Sequence, residues 1–202
     1  MKYLLPILLF IFSSTAHAQK SEPVDYTQLK PEHFTALTHH QAFYDEHTKQ
    51  NYRVINNERS KGVEIEVMKN GKSRYVKHGA FYNYYEGHKT RLKTYNYGKQ
   101  DGVDESYNRK GVVKFLYHYK DGVKHGQHEQ RNDKDEVVTE VTYENGKKEG
   151  LQTDYYNEKL LFTKNWKNGK LHGEHLQYNH KGKVVAKKTY NDGKKVGKTI
   201  FH

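Results

Sequence analysis

Cysteine is absent from the 202-residue chain, which removes disulfide staples, thiolate metal sites and a lipid anchor attached through a cysteine at a cleavage site. Proline occurs only 3 times, too seldom for a proline-rich disordered segment. Hydrophobic residues are also scarce, 34% against 29% charged, where an ordinary domain of this length runs nearer half apolar. A conventional α/β enzyme core is therefore poorly supported. Acidic residues number 24 against 35 lysines and arginines, a formal charge of +11. With a mean hydropathy of −1.12, these shortages point towards disorder. The chain nevertheless holds what disordered chains lack, 13% aromatic residues including 18 tyrosines. Its stability must come from an uncommon arrangement of few apolar groups.

Residues 1–18 stand apart. Met1-Lys2 is a positive start, Leu4 to Phe12 an apolar stretch broken only by Pro6, and Ser13 to Ala18 a small-residue region ending in Ala16-His17-Ala18. This order predicts a secretory signal peptide cleaved after Ala18, with a mature chain that begins near Gln19 and is periplasmic or secreted. The apolar run is shorter than the roughly 20 residues that span a bilayer. Cleavage removes one lysine and no acid, which leaves a charge of +10.

The remainder is periodic. Gly79, Gly102, Gly126, Gly150, Gly173 and Gly197 recur at 23 or 24 residues. Four residues before the last five stand Gly98, Gly122, Gly146, Gly169 and Gly193, and three before each of those an aromatic: Tyr95, Tyr119, Tyr143, Trp166 and Tyr190. Five residues after the repeat glycines come Tyr84, Tyr107, Arg131, Tyr155 and Tyr178. A fixed period of this length marks a repeat architecture.

The contents of a unit predict its shape. Asp121-Gly122, Asn145-Gly146, Asn168-Gly169 and Asp192-Gly193 are tight-turn dipeptides. Between turns lie strand-length runs rich in β-branched and aromatic residues, such as Val112 to Tyr119, Val137 to Tyr143, Leu160 to Trp166 and Val184 to Tyr190. A second turn signal sits mid-unit at Arg109-Lys110-Gly111 and His180-Lys181-Gly182. Each unit reads as one β-hairpin, and a lone hairpin is marginal in water, so the units must stack. The expected fold is all-β: an elongated single-sheet solenoid of stacked hairpins, with a continuous aromatic ladder that buries much area per residue.

The pattern Y-x-N/D-G-x-x-x-G resembles the MORN repeat, and the aromatic and glycine spacing is most similar to its bacterial variant form, found in antitoxin-like proteins. His78-Gly79, His125-Gly126 and His172-Gly173 match the H-G pair of that repeat. The resemblance covers residues 79–202, and a degenerate unit over residues 51–78 precedes it, with Val63 to Met68 leading into Asn70-Gly71-Lys72 and four extra residues before Gly79. Tyrosine replaces tryptophan at most ladder positions, a departure that weakens any transfer of lipid binding. Residues 19–50 show no repeat. Pro31-Glu32 followed by His33 to Phe43 predicts a short helix that caps the terminal face of the solenoid.

Chemistry is harder to find. Fourteen histidines include the pairs His125/His128 and His172/His175, each near a carboxylate, Glu129 or Glu174. Zinc needs three or four converging ligands, and a spacing of three on a strand does not put two rings on one face. The serines after Ala18 are Ser21, Ser60, Ser73 and Ser106, none in a G-x-S-x-G elbow. Glu64 and Glu66 share a strand face, but alternating V-E-I-E-V is the pattern of a half-exposed sheet. The glycines recur with the fold and form no phosphate loop. Neither catalytic residues nor a metal or cofactor site is assigned.

The expectation is a non-enzymatic protein-binding module. The resemblance implies an antitoxin-like or immunity-like role against a toxin in the envelope. The alternative is an envelope scaffold that binds anionic lipid through the turn lysines Lys147, Lys148, Lys194 and Lys195. Nucleic acid is not expected as the partner of an exported chain.

Overall fold

The computed structural model describes residues 29–35, 37–45 and 48–202. The predicted signal peptide and the stretch around Glu22-Pro23 lie outside them. A 3-10 turn at Pro31–Phe34 is followed by β1 (Ala42–Asp45), β2 (Gln50–Asn56), β3 (Ser60–Lys69), β4 (Lys72–Tyr85), β5 (His88–Asn96), β6 (Lys99–Tyr107) and β7 (Val113–Lys120). Then come β8 (Val123–Arg131), β9 (Val137–Glu144), β10 (Lys147–Tyr156), β11 (Lys159–Lys167), β12 (Lys170–Tyr178), β13 (Val184–Asn191) and β14 (Lys194–Phe201). Every strand pairs antiparallel with the next, so the order in the sheet is the order in the chain and the sheet does not close. The fold is all-β, as the hairpin units predict.

Two kinds of turn set the period. At the near end each unit closes with a two-residue turn whose residues both have positive φ, 51° and 87° at Asp121-Gly122 and 48° and 82° at Asn145-Gly146; twist compatibility favours this geometry in hairpins. The turns are themselves linked. The N–H groups of Gly98, Gly122, Gly146, Gly169 and Gly193 donate to the carbonyls of Lys77, Gln100, Lys124, Lys148 and Leu171 in the preceding unit, at 2.7–2.8 Å. At the far end the units differ by one residue. The 23-residue units turn at Glu86-Gly87 and Asn157-Glu158, whereas the 24-residue units use a longer loop opened by Asn108, Asn132 or Asn179. In each of these loops the Asn Oδ1 accepts backbone N–H bonds, for example from Lys110 at 2.9 Å and Val112 at 3.0 Å. The alternation of 23 and 24 is thus a loop-length difference, and the sheet register does not change.

The repeat glycines sit at irregularities in the pairing. Gly102 has φ of 91°, and a Cβ there would lie 2.5 Å from Thr94 Oγ1, which accepts the Val103 N–H at 2.7 Å. Across the strand the first five repeat glycines each face a ladder aromatic: Gly79 opposite Tyr95, Gly102 opposite Tyr119, Gly126 opposite Tyr143, Gly150 opposite Trp166 and Gly173 opposite Tyr190. The coupled recurrence of glycine and ring follows from this pairing, since a ring covers the backbone that a glycine leaves bare.

The ladder differs from expectation in one respect. Strands lie about 4.8 Å apart, so equivalent rings two strands apart are separated by roughly 9.6 Å, beyond ring contact at about 4.5–7 Å. Other side chains fill the intervals, and the ladder residues are half-buried.

The apolar core is at the N-terminal end. Tyr52, Val54, Val63, Ile65 and Tyr82 form a patch on one sheet face, covered by Leu29 and Phe34. Asn56 Nδ2 donates to the carbonyls of Phe34 and Leu37 at 2.8 and 2.6 Å, and the Tyr82 hydroxyl donates to the Leu29 carbonyl at 3.2 Å. The predicted helix from His33 to Phe43 does not form: among the described residues only the 3-10 turn is helical, and Ala42–Asp45 is β1. Pairing of Phe43 with Tyr52 takes the segment into the sheet. The covering segment lies on the face of β2–β4, not over the end of the array. The four extra residues before Gly79 lengthen β3 and β4, so this hairpin projects beyond the line of the other turns.

Candidate functional site

Alternation along the strands divides the side chains between two faces from β4 onward. The first carries the ladder aromatics, the second Tyr84, Tyr107, Tyr155 and Tyr178 with Arg131 in the same column. On this second face the acids are engaged locally. The Tyr107 hydroxyl bonds Glu105, Arg131 Nη2 bonds Glu129 at 2.6 Å, the Tyr155 hydroxyl donates to Glu140 at 2.9 Å, and Lys187 pairs with Glu174. Arg131 therefore does with a guanidinium what tyrosine does in neighbouring units, gripping a strand carboxylate.

The ladder face has a central column two residues after each repeat glycine: Phe81, Asp104, His128, Gln152 and His175. Phe81, Asp104, His128 and Gln152 are buried although no second layer covers them among the described residues, because rings and lysine stems close over them. Asp104 accepts from Arg91 at 2.7 and 2.9 Å and from Gln100 at 3.0 Å, with Lys93 Nζ at 3.8 Å. Burial works against its ionisation, but these bonds and charges outweigh it and hold the carboxyl below its ordinary range. Asp154 stands in the same balance, bonded by Lys164 at 2.6 Å, Gln152 at 2.8 Å and Thr139 at 2.9 Å.

His128 stacks on Tyr117, centroids 3.9 Å apart and planes 11° apart, and its Nδ1 is 2.9 Å from the Leu116 carbonyl. His175 lies between Phe162 and Tyr190, and neither of its ring nitrogens has a hydrogen-bond partner among the described residues. Burial, then the neighbouring lysines, depress both imidazoles: Lys124 and Lys148 for His128, Lys164 and Lys188 for His175.

A row of cations runs beside this column, two residues before the repeat glycines. Lys77 Nζ lies 4.9 Å from the Phe81 ring centroid and 5.1 Å from that of Tyr95. Lys124 Nζ is 3.6 Å from Tyr117 and 5.2 Å from Tyr143, and Lys148 Nζ is 4.5 Å from Trp166. Lys148 also donates to Gln152 Oε1 at 3.0 Å, the atom that accepts Trp166 Nε1 at 3.1 Å. Burial comes first among the causes that lower the pKa of all three.

The four turn lysines singled out in the sequence do not form one set. Lys148 and Lys195 stand opposite Tyr143 and Tyr190, in register with the ladder, whereas Lys147 and Lys194 stand opposite Glu144 and Asn191 at the turns. The histidine pairs likewise split. His128 packs on the ladder face while His125 lies beside His118 and Gln127 at a shallow hollow, and His172 Nδ1 is 3.8 Å from Asp192. Among the described residues no three His, Asp or Glu side chains are placed to hold a metal ion. The residue before three of the repeat glycines has a framework duty: His78 Nδ1, Asp101 and Glu149 accept the N–H of Tyr97, Asp121 and Asn168 in the next turn. Sequence reasoning did not single out Lys77 and Lys124; their shared offset from the repeat glycines is the signal that finds them. The chain matches no protein-family model and no curated protein.

Proposed function

We propose that the chain is an exported, non-enzymatic repeat platform of the MORN-variant type that binds another protein, in the manner of an antitoxin or immunity protein. The observation that carries this reading is the ladder face from β4 to β14, a one-layer surface that no second layer covers among the described residues, where half-buried rings recur once per unit with cations beside them. A single layer offers area in place of an enclosed cavity, which suits contact with a macromolecule. Lipid binding through Lys147, Lys148, Lys194 and Lys195 has weaker support, because these residues divide between the two sheet faces and Lys148 is engaged with Trp166 and Gln152.

The test uses purified chain lacking residues 1–18, immobilised and exposed to an envelope extract. The expected result is one protein retained in a fixed stoichiometry, with an enzymatic or growth-inhibitory activity that the chain suppresses. Retention of phospholipid alone overturns the reading.

A further inference from the structure

Two populations of charge occupy the sheet, and only one is satisfied within the molecule. On the second face Glu105, Glu129, Glu140 and Glu174 each have a local donor. On the ladder face Asp104 and Asp154 are held by Arg91, Lys93 and Lys164. Lys77, Lys124 and Lys148, like Lys188 and Lys195 on the same face, make no ion pair among the described residues, and these three each place the ammonium over an aromatic ring. The lysine stems are fixed by these rings, so little side-chain freedom remains to be lost when an anion arrives.

Position fixes the shape of what fits. Lys124 and Lys148 occupy strands two apart, roughly 9.6 Å, and Lys77 lies four strands from Lys124, roughly 19 Å, at the 4.8 Å strand spacing. The three form a line across the strands. Rings and aliphatic groups interrupt it, with the exposed Phe115 and half-buried Tyr117 on one side and the buried Val141 beside Tyr143. A ligand along this line must offer carboxylates to the ammonium groups and apolar side chains to the rings between them. A polypeptide supplies both, whereas a phospholipid headgroup layer or an acidic glycan supplies anions without aliphatic side chains.

From this we infer that the row Lys77, Lys124 and Lys148 is the docking line for an acidic segment of the partner protein laid across the strands. The inference rests on the protein-binding reading and names the chemistry of its contact.

The experiment titrates labelled poly-L-glutamate, polygalacturonate and phosphatidylglycerol vesicles with three proteins. These are the wild-type chain, a row variant (Lys77→Met, Lys124→Met, Lys148→Met) and a control (Lys147→Met, Lys170→Met, Lys194→Met) with the same charge change at the turns. Methionine keeps the stem over the ring and removes the charge. Poly-L-glutamate affinity should fall about tenfold or more in the row variant and stay within about twofold in the control, with the wild-type interaction weakening as salt rises. Equal loss in both variants, loss in neither, or wild-type preference for the glycan or the vesicles overturns the inference. If the row variant loses its β-sheet circular dichroism, the three single Lys→Met variants carry the same comparison. The two failures separate. A purified partner that binds the row variant as tightly as wild type overturns the row and leaves the protein-binding reading standing. A wild-type chain that retains no protein overturns the reading and the row with it.

Discussion

Arg91 and Asp104 form the best-defined ion pair on the ladder face, and its two halves are unequally placed: the Asp104 side chain is 2% exposed and that of Arg91 46%. This asymmetry predicts which deletion costs more. Replacing Arg91 by Met removes both short bonds and leaves a buried carboxylate with only Gln100 at 3.0 Å and Lys93 at 3.8 Å. Breaking a buried pair from the accessible side costs about 3 kcal/mol, the lower end of the range for an uncompensated buried charge, because two weaker partners remain. Replacing Asp104 by Asn leaves a neutral amide in the same volume, while Arg91 turns to solvent, and costs about 1–2 kcal/mol. The double variant should cost less than the sum, since the charge that Arg91 satisfied is then gone. A repeat array need not unfold in one step, so the assay is hydrogen exchange resolved by strand. Protection should fall in β5, β6 and β7 and hold in β12 and β13, because each strand touches only its neighbours. A greater loss from Asp104→Asn than from Arg91→Met, or additive losses in the double variant, refutes the reasoning.

Trp166→Ala should cost about 2–3 kcal/mol, below the value for a fully buried ring because Trp166 is half-buried, with part of the cost coming from the bond lost to the buried Gln152; a loss under about 1 kcal/mol by urea denaturation means the ring is not a support. Phe34→Ala, at a side chain with 0% exposure, should cost about 3–5 kcal/mol and reduce exchange protection in β2–β4 alone. The depressed imidazoles predict an acid-side loss of stability. Folded pKa values below the ordinary 6.5 mean that the unfolded chain takes up protons first, so their contribution is whole above about pH 6.5 and is lost as pH falls towards the folded values. The groups packed against or acting on them are Phe115, Tyr117, Tyr143, Lys124 and Lys148, with Glu129 acting from the other face, for His128, and Phe162, Tyr190, Lys164, Lys188 and Asp154 for His175. The double variant His128→Gln, His175→Gln should flatten this part of the profile, since Gln152 already occupies the equivalent position; an unchanged slope in thermal melts between pH 7 and pH 5, roughly the window below the histidine reference value, refutes it.

The hairpin architecture was legible because local chemistry dictates it: Asn-Gly and Asp-Gly turns and repeat glycines act within a few residues of themselves. The cap was misread for a related reason. Pro31 does start a helical turn, but Phe43 finds Tyr52 across a strand, a partner that helix-start signals cannot reveal. Ring stacking was overstated because the sequence period counts residues, whereas contact depends on strands, and each period contains two of them. The candidate site was only partly legible. Lys148 was visible beside a turn, yet its membership of the ladder face depends on the register of β9 with β10, and the burial of Asp104 depends on neighbouring side chains folding over it.

Strand order that follows chain order bears on how the protein comes into being. Every sheet contact joins segments adjacent along the chain, so contact order is low for an all-β protein, and slow long-range loop closure is avoided. The largest apolar cluster also lies in the first strands. A chain emerging N-terminus first from a ribosome meets its largest apolar cluster at once, and each later hairpin docks on an edge already formed. The growing edge is covered by the next strand as it arrives, which shortens the time for which an unpaired edge is open to aggregation.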